Sequence, residues 1–289
     1  MPVWTGRGFR LGNTVHSILS YDVSVSGWTD DLTTFSEENG GGGHYMNVAS
    51  RSNAIEALRT YLDRPVPVLM DIGCSSGFML KDLQAAFPAA AVLGSDYVRG
   101  PLDSLARSNP EIPLLQFDLT QCPLPAESLD GITLLNVLEH VEDDYSALQQ
   151  VFRILKPGGI AVIEVPAGPK LFDVYDKYLM HFRRYRMKEF LLMLRLAGFE
   201  ILEQSHLGFF IYPAFAAVKK RNRRYLTADP SVQRKIVASN NNQATNSRII
   251  HGIMRAESIV RQYISLPIGI RCVVTARRPD CTNGMSANG

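Results

Sequence analysis

The stretch Val66–Gly77, VPVLMDIGCSSG, constrains this chain more than any other. Val68, Leu69, Met70 and Ile72 form an apolar run too short and too rich in strand-forming residues for a helix, so they read as a buried strand. Gly73-Cys74-Ser75-Ser76-Gly77 follows, a loop of small residues where the backbone can turn sharply and approach a ligand. Phe78 to Phe87 then has helical spacing at Leu80, Leu83 and Phe87, and Pro88 stops it. Strand, small-residue turn and helix make the first unit of a doubly wound α/β fold, in which ligands sit at the carboxyl ends of the strands. A tight strand-to-helix turn with no ligand is the alternative for this loop.

A dinucleotide site needs G-x-G-x-x-G, a pattern that Gly73 and Gly77 do not make. About 20 residues beyond the loop, the spacing of a βαβ unit, Ala91–Asp96 forms a second short strand ending in an acid. An acid there can accept both hydroxyls of a ribose. Its alternative is a cap for the helix near Leu102–Arg107, although Gly100 and Pro101 intervene. A third strand, Ile112–Phe117, leads into Asp118-Leu119, where an acid also serves ordinary turn chemistry. Ile132–Leu135 is strand four, and Tyr145–Leu155 is a helix closed by Lys156-Pro157-Gly158-Gly159. Ile160–Val165 is strand five; Met187–Leu196 is helical, Phe199–Glu203 is strand six and Gly269–Ala276 the last strand.

D-I-G-C-S-S-G resembles the D-x-G-x-G-x-G loop of class I S-adenosylmethionine-dependent methyltransferases, with Asp71, Gly73 and Gly77 in register and Ser75 in place of the middle glycine. Leu138-Glu139-His140-Val141, FRILKPGGIAVIEVP (152–166) and LLMLRLAGFEI (191–201) are similar to the same family. The kinship is to type 11/12-like enzymes that tailor small molecules, natural products and polysaccharides. The resemblance implies an α/β fold: a Rossmann-like seven-stranded methyltransferase sheet with an N-terminal helical cover and an insertion between the last two strands. It implies S-adenosylmethionine as cofactor, held by Asp71, Gly73, Cys74, Ser75, Gly77, Asp96, Tyr97, Asp118, Leu119, Asn136 and Val137. Asp96 takes the ribose, Asp118 the adenine amino group and Leu119 supplies the neighbouring backbone N–H. In ubiquinone-type O-methyltransferases a glutamate at the Asn136 position joins the Glu-His pair in holding a metal. Asn136 removes that charge, so no metal is expected.

Beyond strand five, Phe172–Tyr185 is dense in tyrosines and cations, which argues against a buried core helix and for an acceptor-site lid over the cofactor mouth. A solvated surface helix is the alternative. The segment resembles the D…H-x-R-R-Y element of tailoring methyltransferases. His181 is the first choice for a general base and His140 the second, with a structural role beside the cofactor weighed for His140. Tyr178 and Tyr175 are expected to orient the acceptor, Arg183 and Arg184 to hold an anionic group on it, and Tyr45 to contact it. His44, after the glycines Gly40–Gly43, reads as a solvated loop residue.

The expected organisation is an arm and cover helix (1–63), a cofactor-binding core (64–206), an apolar and basic insertion (207–268) and a last strand with a tail (269–289). Lys219–Arg278 carries thirteen Lys/Arg against Asp229 and Glu257, although the whole chain is only +2. That basic excess attracts anions, and no nucleic-acid module surrounds it. Contact with a membrane surface and homodimerisation stay open. Cys74, Cys122, Cys272 and Cys281 lack metal-ligand spacing, no run spans a bilayer and no signal-peptide core opens the chain, which together place it in the cytoplasm. The expected activity is methyl transfer to a small-molecule acceptor, most often O-methylation of a sugar-type or natural-product metabolite. C- or N-methylation and a non-catalytic binding protein are the alternatives, and a nicotinamide oxidoreductase is the more distant one.

Overall fold

A computed structural model describes residues 2–23, 29–38, 41–245, 248–261 and 263–280. Its centre is one eight-stranded sheet. The parallel strands are β5 (Val68–Ile72), β6 (Ala91–Asp96), β7 (Leu114–Gln116), β8 (Leu129–Leu135) and β9 (Leu155–Pro166). Two more, β10 (Glu200–Leu207) and β11 (Arg271–Arg277), add antiparallel pairing at one edge, where β11 lies between β9 and β10. The remaining edge is β4 (Ile18–Ser20), parallel to β7. The full order is β10-β11-β9-β8-β5-β6-β7-β4. β11 runs antiparallel to strand six, β10; the sheet has eight strands rather than the expected seven because the N-terminal arm supplies β4.

Side chains that alternate along β5 feed two cores. Leu69 packs against α2 (Tyr45–Tyr61), α3 (Phe78–Ala86) and α4 (Arg99–Ser108) through Leu58, Leu80 and Leu102. Met70 and Ile72 face α5 (Asp144–Ile154) and α7 (Met187–Leu196), meeting Leu148, Val151 and Phe190. Burial on both faces explains why the strand reads as a continuous apolar run.

The N-terminal arm is structured rather than loose. β1 (Val3–Trp4), β2 (Phe9–Leu11) and β3 (Thr14–His16) form a small antiparallel sheet before β4, and Trp4 packs on Phe9 at 4.9 Å. Leu32 and Phe35 are buried on α1 (Asp30–Glu38), while Trp28 lies outside the described residues. The insertion folds as α8 (Tyr212–Asn222), α9 (Pro230–Thr245) and α10 (Arg248–Arg261). Asn240–Gln243 belongs to α9. Among the described residues no helix is long and apolar enough to cross a membrane.

Candidate active site

The carboxyl ends of β5, β6, β8 and β9 meet in one place, and the glycine loop closes it. Gly73 and Gly77 have φ of 78° and 75°, the left-handed region that favours glycine. A Cβ on Gly73 would overlap the Val137 side chain, so the loop and the end of β8 touch only because that side chain is missing. Ser75 adopts φ 43°, a strained value for a residue with a Cβ at the position where the resembling loops have glycine. Asp96 holds this loop from the next strand: Ser75 N–H donates to its Oδ2 at 2.8 Å and Val98 N–H to its Oδ1 at 2.9 Å. Tyr97 N–H also donates to this carboxylate, so three of its four lone-pair sites are taken from within the chain. The α4 cap is Val98 rather than Asp96, and Gly100 and Pro101 are inside the helix.

The other expected cofactor residues divide between backbone and scaffold roles. Cys74 turns its thiol into the core beneath Gly94 and gives the loop its backbone, whose N–H donates to Ser95 C=O at 2.9 Å. Asp71 is buried between strands, where Thr133 donates its hydroxyl at 2.7 Å; burial pushes its carboxyl up to about 7. Asp118 caps the short turn 119–121, with Thr120 donating both its N–H (2.9 Å) and its hydroxyl (2.7 Å), and Leu119 is buried beside it. Tyr97 contributes a carbonyl that accepts from Gln116 at 3.1 Å. Asn136 has φ 58°, which asparagine tolerates better than most residues, and its amide donates to Glu164 Oε1 at 2.7 Å. Its identity thus reflects both a left-handed turn and a partner on β9.

Glu164 is a site residue that the sequence reading missed, although an acid inside the run IAVIEVP was visible. Ser50 on α2 donates to it at 2.8 Å and Arg271 on β11 at 2.8 Å, while the other arm of Arg271 reaches Asn47 at 2.9 Å. This network draws the cover helix onto the strand ends. His44 caps that helix, its Nδ1 accepting from Met46 N–H at 3.3 Å. Burial and then Arg271 lower it to about 4, so it is a neutral cap rather than a solvated loop residue. Tyr45 is buried between His44 (4.3 Å between rings) and His251 of α10 (6.2 Å).

The segment 172–185 is also different from a solvated lid. Asp173, Asp176, Arg184 and Tyr185 are buried, and α6 (Val174–Tyr178) is only five residues long. Lys219, from α8, donates to Asp173 at 2.7 Å and Asp176 at 2.9 Å, with its ammonium 4.8 Å from the Tyr175 ring centre. Arg184 donates to Asp176 at 2.8 Å and to the Ala167 and Ile270 carbonyls. Arg183 pairs with Asp144 at 2.7 Å and donates to Glu142 C=O at 2.6 Å. Both arginines expected to take an acceptor anion are thus matched from within the chain. Pairing among Asp173, Asp176, Arg184 and Lys219 makes a buried ion network, which is why these four are buried despite their charges. Tyr178 packs edge-on against Phe35 of α1 at 5.0 Å, so it fastens the N-terminal helix rather than facing an acceptor.

His181 and His140 do come together. Their rings stand edge to face at 4.7 Å, His181 Nδ1 lies 3.0 Å from Asp176 Oδ1, and Tyr175 stands 6.5 Å from the His181 ring. Phe182 N–H donates to Glu139 C=O at 2.8 Å and pins the segment beside strand β8. Glu139, His140 and His181 bring one oxygen and two ring nitrogens within 4.8 Å of one another. Burial lowers His181 against the pull of Asp176, lowers His140 well below the usual imidazole range and raises Glu139 to about 8. Although burial opposes it, Lys219, His181 and Arg184 hold Asp176 well below the usual carboxylate range.

A left-handed glycine loop after the first strand, an acid capping it from the second and a reversed last strand define the class I fold of S-adenosylmethionine-dependent methyltransferases. Residues 70–163 match the family described as a methyltransferase domain. Among curated relatives, the chain is 28% identical over 156 residues to "Probable S-adenosylmethionine-dependent methyltransferase" of Mycolicibacterium smegmatis, covering 53% of this chain and 59% of the relative. It is 31% identical over 120 residues to demethylmenaquinone methyltransferase of Streptomyces avermitilis, covering 40% and 51%. The chain thus spans about half the length of the curated relatives it matches. Among solved structures, it resembles phosphoethanolamine N-methyltransferase 2 of Haemonchus contortus bound to S-adenosylhomocysteine, with TM-score 0.56, 13% identity, and 86% and 57% of the two chains covered. At that identity the likeness concerns the fold.

Proposed function

We propose that the protein is an S-adenosylmethionine-dependent methyltransferase acting on a small-molecule acceptor. The observation that carries this reading is the Asp96 carboxylate, which ties the glycine loop to the second strand through the Ser75, Tyr97 and Val98 N–H groups and keeps one lone pair for a ribose hydroxyl. The cofactor arrives as an activated sulfonium, so the protein's task is to place the acceptor in line with the methyl group. The S–CH3 bond breaks as the bond to the acceptor forms, S-adenosylhomocysteine leaves, and a proton is lost from the acceptor.

The acceptor belongs against Glu139, His140 and His181, the polar groups next to the loop at the end of β8. His181, oriented by Asp176, is the side chain best placed to help a hydroxyl lose its proton, which favours O-methylation. Transfer to carbon is the second reading, favoured by the names of the menaquinone-type relatives. Calorimetry with S-adenosylhomocysteine and with nicotinamide dinucleotides tests the cofactor, and labelled-methyl transfer to a panel of hydroxyl and quinol acceptors tests the chemistry. Binding of a dinucleotide in place of S-adenosylhomocysteine would overturn the reading.

A further inference from the structure

We infer that Glu139, His140 and His181 form a binding site for a divalent transition-metal ion. The proposal reverses the expectation drawn from Asn136. That residue is turned away to Glu164, and the third donor is His181, 41 positions beyond His140 on a different element.

Four features of the cluster point to an ion. First, Glu139 is 1% exposed and its Oε2 makes no hydrogen bond among the described residues, an expensive arrangement for a buried carboxyl unless a cation faces it. Second, each imidazole is oriented from behind. His181 engages Asp176 through Nδ1, which directs Nε2 away from that carboxylate. His140 uses one ring nitrogen on the Leu179 carbonyl, which in a neutral ring makes the other an acceptor. A histidine whose outer N–H is held by a carboxylate or carbonyl is the usual state of a metal ligand. Third, the outer residues are themselves fixed: Asp176 is bound by Arg184 and by Lys219, so the insertion helix α8 sets the stance of His181. Fourth, the donors lie within 4.8 Å of one another at the strand ends beside the glycine loop.

The donor set selects the ion. Two imidazoles and one carboxylate suit Zn2+ or its first-row neighbours, whereas Mg2+ and Ca2+ prefer oxygen throughout. Three protein donors leave a position open, as in catalytic rather than structural zinc sites. The role of that position rests on the methyltransferase reading: it suits an acceptor that presents an oxygen. A bound cation would acidify that hydroxyl, whose proton would pass to water, and His181 would serve as ligand rather than as base.

The test uses the full chain stripped with a chelator and titrated with Co2+ as a spectroscopic probe, then with Zn2+ and Mg2+ as competitors. One Co2+ per chain is expected, with visible bands of a low-symmetry site, displaced by Zn2+ and not by Mg2+. Glu139→Gln, which keeps the shape of the side chain, and His181→Ala should each weaken binding by about 100-fold or more, and Asp176→Asn by roughly 10- to 100-fold through loss of the orienting carboxylate. His16→Ala, on the exposed N-terminal hairpin, should leave it unchanged. If His181→Ala fails to fold by circular dichroism, Glu139→Gln carries the comparison. Substoichiometric Co2+, displacement by Mg2+, or equal affinity in Glu139→Gln and wild type would overturn the proposal. S-adenosylhomocysteine calorimetry on the same samples separates the two readings. Cofactor binding without Co2+ binding sinks the metal site alone. Co2+ binding without cofactor binding supports the site and sinks the methyltransferase.

Discussion

The glycine-loop side and the His181 side of this molecule are built by different means. Around the glycine loop the working groups are backbone N–H donors, one carboxylate and left-handed turns, all contributed within the span from Asp71 to Val98. Around His181 they are charged side chains brought from separate helices and strands, with Lys219 reaching Asp173 from 46 residues away. The first arrangement is local and tolerates change in its apolar surroundings. The second is a closed set of ion pairs, in which each member's absence leaves another buried and unmatched.

That contrast is broken most forcefully at Lys219. Lys219→Met should destabilise the fold by about 3–5 kcal/mol, because Asp173 and Asp176 lose a shared buried partner. Urea unfolding measures the loss, and S-adenosylhomocysteine affinity in the folded fraction should stay near wild type. A stability change below about 1 kcal/mol, within the range of surface pairs, would mean that the network holds nothing together. Asp96→Ala should do the reverse. Cofactor affinity is expected to fall by about 2–4 kcal/mol with the loss of a charge-assisted contact and of the carboxylate that holds the loop. Unchanged calorimetric affinity would remove Asp96 from the site.

A pH experiment sharpens the same comparison inside the sheet. Asp71 ionises near 7 in the folded chain and near 3.8 when unfolded, so between those values the folded state holds the extra proton. The wild type therefore loses stability as pH rises from about 4 to about 7 at this residue. Asp71→Asn cannot titrate, so the stability of wild type relative to the variant should drop across that window. His44, lowered to about 4, works in the opposite sense but identically in both proteins, and cancels. A difference independent of pH would show that Asp71 is ionised throughout. The smallest effect is at Ser75, where glycine relieves φ 43°: Ser75→Gly should gain about 1 kcal/mol by thermal unfolding and keep or improve cofactor binding. A tenfold loss of binding would assign the hydroxyl a ligand contact.

The sequence reading succeeded where information is local. Gly73, Gly77 and Asp96 could be placed because a strand, a turn and a helix of fixed spacing dictate where they lie. It failed where partners are distant. Nothing in Arg183 or Arg184 announces Asp144 and Asp176, and nothing in Lys219 distinguishes it from the exposed lysine beside it. Counting charge in 219–278 treated as one basic face what is partly interior pairing, including Arg271 with Glu164. The N-terminal sheet was legible in principle. Leu11-Gly12-Asn13-Thr14 is a turn between alternating residues, where only an arm was expected.

Leu207 and Arg271 face each other in the antiparallel ladder, so the three helices between them leave and re-enter the sheet at a single point. To the sheet, that whole length is one hairpin loop. If the protein transfers methyl groups as proposed, an evolving lineage can exchange such a loop for another and alter the acceptor without disturbing the glycine loop. Lys219 sets the one condition: a replacement has to bring its own cation to Asp173 and Asp176.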